Sequence, residues 1–316
     1  MAPLQPSLDI IIVNWNAGAL LRNCLESIAA SNLDGIDLQR VVVVDNASSD
    51  NSTQGLDDIK IPLTLLANPE NRGFAAACNQ GVQESTADYL LFLNPDIRLY
   101  ENSLKIPVEC VNRPENQKIG VVGIQLVDEQ GHIARSCARF PTPRSFFGQM
   151  LGLDRLLPGR FLAHPMTEWD HRDSRDVDHV IGAFYLVRRS IFEQMNGFDT
   201  RYFVYLEDLD LSLRIRQAGW RIAYLTEAQA YHKGCGTSDQ IRARRLFYSL
   251  RSKILYGYKH FNPITATALA LGTFFIEPVP RIALGLAKGS LATVGETIRA
   301  YGLLWKALLN LFKNAV

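Results

Sequence analysis

VVVVDNASSD, residues 41–50, decides the fold class, because four valines lead into an aspartate and a cluster of small polar residues. The valines are typical of a strand that is buried on both faces of a parallel sheet. The polar cluster favours a turn and a helix N-cap directly after that strand. We therefore predict a strand at 41–44 with Asp45 just past its carboxyl end.

Short apolar runs and helical patterns alternate on both sides of this stretch. This order predicts an α/β fold with a mostly parallel central sheet and helices on both faces. Ligands gather at the carboxyl ends of the strands in such sheets, so we expect Asp45 and Asp96 to come together there. The predicted strands are 8–13, 41–44, 62–66, 89–93, 120–126 and 180–187, and the predicted helices are 19–30, 73–82 and 209–218. The segment 137–179 shows no clear period and is predicted to be a long loop region with short helices.

Length, charge and cysteine usage limit the class of protein. A chain of 316 residues is long enough for one large α/β domain and a smaller appendage. The net charge of +1 gives no reason to expect nucleic-acid binding. Scattered cysteines without a CxxC pair, and an N-terminus without a basic region, predict a cytoplasmic protein with neither disulfide framework nor signal peptide. The cysteines are Cys24, Cys78, Cys110, Cys137 and Cys235.

The last quarter of the chain has a different character, and we predict a catalytic domain at 1–236 and a helical segment at 237–316. Residues 231–260 carry seven Lys or Arg against one acid, and 261–276 carry no charge. The uncharged run is shorter than a membrane-spanning helix and is interrupted by prolines, whereas 291–312 is amphipathic. This pattern favours peripheral attachment to an anionic membrane surface. Packing on the main domain or a homo-oligomer contact is the alternative.

Three acidic positions and one histidine are candidates for chemistry. Asp45 can accept hydrogen bonds from a nucleotide base or ribose, although it can also simply cap a turn. Asp96, in LFLNPDI at 91–97, is a hard oxygen ligand suited to Mg²⁺ or Mn²⁺, although Asn-Pro-Asp is also an ordinary turn. His232 can complete a metal site, although a lone histidine is more often structural.

The segment YFVYLEDLDLSL, residues 202–213, places three acids among aromatic and aliphatic residues. Carboxylates against apolar surface tend to have raised pKa values, which suits a general base. Asp208 and Asp210 would face different directions on a helix and should not share one role. The alternative is an acidic helix N-terminus that interacts with the helix dipole.

A polar cluster at a predicted helix start can hold base or phosphate groups, because a helix N-terminus favours negative charge. The alternative for this cluster is helix capping alone. It consists of Asn68, Asn71, Arg72, Gly73 and Asn79.

Several motifs in one order carry a resemblance that no single motif would support. Over residues 7–260 the chain resembles glycosyltransferase family 2 of the GT-A fold, and within it the rhamnosyltransferase-like enzymes of bacterial polysaccharide assembly. The carrying motifs are IIVNWN (11–16), VVDNASSD (43–50), NxxNRGFAAACNQG (68–81), LFLNPDI (91–97), GAFYLVRR (182–189), GFDTRYFVYLEDLDLSLRIRQAGW (197–220) and YH (231–232).

The resemblance implies a role for each matching residue. Asp208 looks like the catalytic base and Glu207 like the residue that positions it or the acceptor. Asp96 and His232 look like the metal site for Mg²⁺ or Mn²⁺, with Asn94 where many relatives carry a second aspartate. The residues implied in nucleotide binding are Asn14, Asn16, Asp45, Asn46, Asn71, Arg72, Gly73, Asn79 and Asn94.

The implied activity is an inverting transfer of a sugar from a nucleotide-diphosphate donor to a hydroxyl of a lipid-linked or glycan acceptor. dTDP-L-rhamnose is the first candidate donor, and UDP-hexoses and UDP-galactofuranose remain open. The expected location is the cytoplasm, at the inner face of the cell membrane.

Two other functions are compatible with parts of the pattern. A sugar nucleotidyltransferase would carry a Gly-rich basic loop near the N-terminus, where this chain has Val-Asn-Trp-Asn at 13–16. A non-catalytic nucleotide- or carbohydrate-binding module would have no need of Asp96, Asp208 and His232 together.

Overall fold

The structure, a computed structural model, describes residues 5–157, 160, 164–234 and 241–308. The chain forms two compact units. Unit 1 comprises Met1–Arg139, Pro165–Thr200 and Asp208–Thr237, and unit 2 comprises Phe140–His164, Arg201–Glu207 and Ser238–Val316. The predicted domain boundary at 236/237, Cys235 and the end of the amphipathic segment at 309–312 lie outside the described residues.

Unit 1 is an α/β structure whose sheet has nine strands within the described residues. The strands follow the β-branched and aromatic runs of the sequence, which fit a pleated and buried surface. They are β1 (Ser7–Asn14), β2 (Asp37–Asp45), β3 (Leu63–Ala67), β4 (Tyr89–Leu93), β5 (Ile97–Leu99), β6 (Ile119–Val127), β7 (Cys137–Ala138), β8 (Arg175–Val177), β9 (His179–Val180), β10 (Phe184–Arg188) and β11 (Arg221–His232). Of these, β7 and β9 form a separate antiparallel pair.

The sheet order is β3-β2-β1-β4-β10-β6-β11-β5, with β8 paired to β11. Strands β1 to β4 are parallel to one another, so β2, β1 and β4 end at the same edge. Strand β10 runs antiparallel between β4 and β6 and therefore begins at that edge. We call this edge the rim. The predicted α/β fold with a largely parallel central sheet is confirmed.

Helices cover the sheet, and two hydrophobic clusters fill the space between them. The first cluster includes Leu21, Cys24, Leu25 and Ile28, which recur at helical spacing on α1 as the sequence predicted. The unit 1 helices are α1 (Ala19–Ala29), α2 (Phe74–Gly81), α3 (Lys105–Asn112), α6 (Arg189–Gln194) and α7 (Glu207–Gln217, whose first residue belongs to unit 2), with a 3₁₀ turn at Pro114–Asn116. Gly219 follows α7 with φ +87°, as expected for a C-terminal cap.

One strand prediction was wrong in extent. The run 180–187 is not one strand, because the chain breaks between β9 and β10. The break contains Gly182, whose N–H bonds a side chain instead of a neighbouring strand. Strand β11, in contrast, is unbroken. Glu227 lies inside β11, where a register shift against β6 absorbs the irregularity.

Unit 2 is helical throughout its described residues, apart from the connecting turns. The predicted loop region contributes two short helices, the basic segment forms one, and the apolar and amphipathic segments of the sequence form three more. The helices are α4 (Pro143–Met150), α5 (Leu153–Leu156), α8 (Arg242–His260), α9 (Pro263–Phe275), α10 (Pro278–Ala287) and α11 (Leu291–Lys306). Capping follows the sequence: the Asn262 side chain accepts the Thr265 N–H at the start of α9.

Three charged side chains form an ion cluster at the turn between α9 and α10. Glu277 is 4% exposed and is bonded by both Lys253 Nζ and the Arg281 guanidinium, the latter at 2.7 Å. Burial alone would raise the pKa of Glu277, but the two cations hold that pKa below its usual value. The cluster therefore ties α8 to the α9–α10 turn with a buried, ionised carboxylate.

Candidate active site

Asp45 lies at the rim inside a network of hydrogen bonds from short polar side chains. Its Oδ1 accepts from Asn14 Nδ2 at 2.7 Å and from Ser48 Oγ at 2.5 Å, and its Oδ2 accepts from Ser48 N at 3.1 Å. Asn16 Oδ1 accepts from the N–H of Ser49 in the same loop. The acceptor lone pairs that remain on Oδ2 give this carboxylate the capacity to bind an N–H or O–H of a ligand.

A second polar layer continues from Asp45 to the start of α2. Asn46 Nδ2 donates to Gly73 O, and Asn68 Nδ2 donates to Asn46 Oδ1. Asn71 Oδ1 accepts from Gly73 N, which is the geometry of an Asx turn before the helix. Arg72 is exposed beside this turn. The structure thus joins Asn46, Asn71, Arg72 and Gly73 at one place, and their role in nucleotide binding stays a prediction.

Asn79 is engaged differently from the other predicted nucleotide-binding residues. Its Nδ2 donates to Phe198 O at 2.8 Å and its Oδ1 accepts from Phe198 N at 2.9 Å. Gly197 approaches so closely that an added Cβ would lie 2.7 Å from Asn79 Oδ1. Both ends of the amide therefore hold the chain before α7, and nucleotide binding by Asn79 stays a prediction.

The Asn94-Pro95-Asp96 turn joins β4 to β5 and brings Asp96 to His232. Asp96 Oδ1 lies 3.5 Å from His232 Nε2, because His232 pairs with Ile97 between β11 and β5. Cys24 Sγ donates to Asn94 O at 3.7 Å from α1. Burial raises the pKa of Cys24, and nearby Asp96 raises it further, so the thiol keeps the proton it donates.

Asp96 and His232 provide one oxygen and one nitrogen donor to a divalent cation. Among the described residues, no group of three or more His, Cys, Asp or Glu side chains is arranged to hold a metal by itself. Mg²⁺ and the similar Mn²⁺ usually keep several waters and share phosphate oxygens with only one or two protein groups. The pair therefore fits a metal that is completed by the ligand.

Asp208, the predicted base, is fixed by backbone donors and faces a buried imidazole. Gly182 N donates to Asp208 Oδ2 at 2.7 Å, and Leu209 N donates to Oδ1 at 2.8 Å. His179 Nε2 lies 3.6 Å from Oδ2. Because 17% of the Asp208 side chain is exposed, its carboxylate has a fixed orientation and can still be reached by a ligand.

The other two acids of α7 differ from Asp208 in exposure. Asp210 is fully buried and accepts from Arg214 Nε at 2.9 Å. Arg214 also donates to Met195 O and Gly197 O, so this ion pair fastens α7 to the chain before it. Glu207 is the first residue of α7 and is buried, and its role in positioning stays a prediction.

Strand register brings the Asp45 network and the Asp208 carboxylate to the same rim. Asn14 and Asp45 are paired at the ends of β1 and β2. Next to β1, β4 ends at Leu93, and the N–H of the following residue, Asn94, donates to Ala183 O at 3.0 Å. Gly182, which holds Asp208, directly precedes Ala183 in the chain. Neighbouring strands are about 4.8 Å apart, so the backbones of Asp45 and Gly182 lie about 15 Å apart along the rim.

The structure adds residues to the site that sequence reasoning missed. Ser48 and Gly182 lie inside motifs that carried the resemblance, but neither received a role. His179 ended a stretch that was predicted to be an irregular loop. Its chemistry was visible in the sequence, but its contact with Asp208 is made 29 positions away and only in the folded chain.

The fold and the rim define a glycosyltransferase of the GT-A class. Residues 9–195 match the sequence profile of "Glycosyl transferase family 2", and residues 166–313 match that of "Glycosyl transferase family group 2". The chain belongs to glycosyltransferase family 2, as its motifs indicated. The predicted activity, a glycosyltransferase, is therefore confirmed.

Two curated bacterial relatives support the same placement. An N-acetylglucosaminyl-diphospho-decaprenol L-rhamnosyltransferase of Mycobacterium tuberculosis is 26% identical over 268 residues, which are 79% of this chain and 83% of the relative. The rhamnosyltransferase WbbL of Escherichia coli K12 is 27% identical over 256 residues, which are 78% of this chain and 91% of the relative.

Solved structures show the same fold at lower sequence identity. The mannosyltransferase PcManGT of Pyrobaculum calidifontis, in complex with GDP-Man and Mn²⁺, has a TM-score of 0.55 at 19% identity. The match covers 99% of this chain and 86% of the other. Residues 1–349 of S. aureus TarS have a TM-score of 0.53 at 14% identity, over 93% and 78% of the two chains.

Proposed function

We propose that this protein is an inverting rhamnosyltransferase that transfers L-rhamnose from dTDP-L-rhamnose to a hydroxyl of a lipid-linked acceptor. The names of the two curated relatives support the sugar, and the name of the mycobacterial relative supports an acceptor on a lipid diphosphate. The observation that carries the chemistry is the shared rim of Asp45, the Asn94–Asp96 turn and Asp208.

Different side chains at the rim have different roles in the proposed reaction. The Asp45 network binds the nucleotide end of the donor. Asp208 takes the proton of the acceptor hydroxyl as the oxygen attacks the anomeric carbon, and the bond from that carbon to the diphosphate breaks with inversion. Asp96 and His232 would hold Mg²⁺ or Mn²⁺, and the ion would supply positive charge to neutralise the departing dTDP.

The two oxygens of Asp208 are suited to different tasks. Oδ2 accepts from Gly182 N and faces His179, whereas Oδ1 accepts, among the described residues, from the Leu209 N–H alone. A carboxylate oxygen has two lone pairs, so Oδ1 has one to receive the acceptor proton.

Asp208→Asn tests this assignment, because it keeps the shape of the side chain and removes its basicity. We expect transfer from dTDP-L-rhamnose to fall at least a hundredfold, with the dissociation constant of the donor unchanged. Glu193→Gln, an exposed acid on α6, is the matched control. Full transfer by Asp208→Asn would remove the base from the proposal. A thermal-shift panel that also contains UDP-hexoses and UDP-galactofuranose tests the donor.

We further propose that unit 2 attaches the enzyme to an anionic membrane surface without spanning it. Pro263–Ala287 is the one stretch of the described residues that is long and apolar enough to cross a bilayer. Five of its exposed apolar side chains recur at intervals of four or seven positions, which is the spacing of one helical stripe. The stripe consists of Ile264, Leu271, Phe275, Val279 and Leu286.

The ion cluster at Glu277 argues against a span. If Pro263–Ala287 crossed the bilayer, Glu277 would lie within the hydrocarbon together with its two cationic partners, at a cost of several kcal/mol. The exposed cations after the stripe, Lys288, Arg299 and Lys306, suit an anionic lipid surface instead. The stripe therefore fits in-plane binding at a bilayer interface.

Phe275→Glu tests the membrane proposal in a flotation assay with liposomes that contain phosphatidylglycerol. We expect the fraction bound to fall severalfold, because a charge enters the centre of the stripe. Leu65→Glu, which replaces an exposed leucine on β3, is the control and should float like the unaltered protein. Unchanged flotation of Phe275→Glu, or loss of a dimer instead of membrane binding, would contradict the proposal.

A further inference from the structure

Behind Asp208 lies a row of buried polar side chains that the proposed chemistry does not use. His179 is 3% exposed, and its Nδ1 is 2.9 Å from Ser212 Oγ. Ser212 Oγ is in turn 3.0 Å from the hydroxyl of Tyr185, and both residues are fully buried. The row runs from β10 through α7 to β9 and ends 3.6 Å from Asp208 Oδ2.

The donors and acceptors of this row can be satisfied in one direction only. His179 Nε2 faces a carboxylate oxygen and therefore carries the ring proton, which leaves Nδ1 as an acceptor. Ser212 must then donate its hydroxyl proton to Nδ1, and Tyr185 must donate to Ser212 Oγ. The result is an ordered chain, Tyr185 to Ser212 to His179, that points an N–H at Asp208.

The protonation states of the row agree with this order. Burial lowers the pKa of His179, although Asp208 and Asp178 raise it in part, so the ring is neutral at physiological pH. Burial raises the pKa of Tyr185, so its phenol keeps the proton that it donates. A neutral ring can orient the carboxylate without supplying a competing acid.

We propose that His179 is a positioning residue that, through its Nε2–H, holds Asp208 ionised and directs Oδ1 toward the acceptor hydroxyl. This inference rests on the proposed role of Asp208 as the base. With His179 and Gly182 both facing Oδ2, rotation of the carboxylate would lose one hydrogen bond and one electrostatic contact. The 3.6 Å separation is longer than a hydrogen bond, so the contact is electrostatic, and such contacts commonly tighten in the reacting complex.

The other charged side chains near the row have interactions of their own. Asp210 and Arg214 form a buried ion pair of 2.9 Å and contribute opposite charges. Asp178 precedes His179 in the chain and raises the pKa of its imidazole. Removal of the His179 N–H therefore changes the environment of Asp208 in one direction: the ionised carboxylate loses a favourable contact and is less stabilised.

Two substitutions at His179 separate the two ends of the ring. His179→Gln places an amide N–H near the former Nε2 and keeps a donor toward Asp208. His179→Asn is shorter, so it can keep only the contact with Ser212 and loses that donor. Both are polar and of similar kind, so a difference between them reports on the donor and not on burial of a polar group.

The measurement is the pH profile of kcat/KM for sugar transfer, whose acidic limb reports the base of the free enzyme. We expect His179→Asn to move that limb up by about one pH unit, and so to lower kcat/KM about tenfold at pH values on the limb, because the ionised carboxylate loses the N–H that faces it. His179→Gln should stay close to the unaltered profile. Donor affinity should be unchanged in both.

Ser212→Ala provides a second route if His179→Asn does not fold. It leaves the ring in place but removes the donor that fixes the tautomer, so we expect a smaller shift in the same direction. An unshifted acidic limb in both His179→Asn and Ser212→Ala would overturn the inference, as would an equal loss of rate at every pH. If Asp208→Asn retains full activity, the proposed base itself fails, which is a separate outcome.

Discussion

Gly182→Ala should damage catalysis through a single methyl group. A Cβ at this position would lie 3.1 Å from Asp208 Oδ2, closer than ordinary van der Waals contact, and 3.5 Å from Asp208 Cβ, within ordinary contact. The φ of Gly182 lies outside the left-handed region, so alanine adds no backbone strain. The carboxylate must therefore move by a few tenths of an ångström.

The size of the effect follows from the precision that the reaction requires. A displacement of about 1 Å in a reacting group costs on the order of a hundredfold in rate. A shift of a few tenths should therefore lower kcat about three- to tenfold. The assay is steady-state transfer from dTDP-L-rhamnose, together with donor binding by calorimetry, which should not change.

Gly120→Ala is the matched control for this substitution. Its Cβ would lie 3.0 Å from Ile191 Cδ1 and 3.1 Å from Trp220 Cβ, at the opposite edge of the sheet. We expect Gly120→Ala to lower the melting temperature without a specific loss of kcat. Equal kcat losses in the two variants, or an unaltered kcat in Gly182→Ala, would refute the argument from the Asp208 contact.

Three further predictions concern the metal pair and the ion cluster. Replacement of Asp96 by Asn or of His232 by Ala should raise the Mn²⁺ concentration for half-maximal activity at least tenfold, as a metal titration would measure. Glu277→Leu leaves Lys253 buried without its carboxylate and should lower the free energy of unfolding of unit 2 by about 3–5 kcal/mol. Adding Lys253→Met removes the unpaired charge and should restore most of the lost stability. Urea titrations measure both changes. Lys253 and Arg281 hold the pKa of Glu277 below its usual value despite burial. The stability that Glu277 contributes is therefore fully present above about pH 4.3, and it is lost as the pH falls through the lower pKa of the folded state. In the variant that combines Glu277→Leu with Lys253→Met, acid unfolding monitored by circular dichroism should no longer show this pH-dependent loss of stability.

The sequence predicted the parallel strands because strands that are buried on both faces consist almost entirely of apolar residues. Strand β4 forms at Tyr89–Leu93, as predicted. An unbroken apolar run of this length, followed by turn residues, is typical of a buried strand. The run 180–187 looked equally regular. This run is broken because the Gly182 N–H binds the Asp208 carboxylate, and no local feature of the sequence indicates that partner.

The same distinction separates the site residues that could be predicted from those that could not. Asp45 and Asp96 follow apolar strands directly, so their place at the rim is a consequence of the fold. The role of His179 depends on Ser212 and Asp208, which lie about 30 positions further along the chain. Such a contact is a property of the tertiary structure, and a lone histidine in the sequence gives no signal for it.

The acids of α7 show how local geometry and tertiary partners together assign chemistry. Successive helical residues are rotated by about 100°, so Asp208 and Asp210 project about 200° apart and cannot serve one site. Their partners then set the role of each: Arg214, four residues further along α7, pairs with the buried Asp210 carboxylate, and Gly182 holds Asp208 where part of it stays exposed. A carboxylate that must accept a proton from a ligand needs a fixed orientation and an open oxygen, and of these two acids Asp208 alone has both.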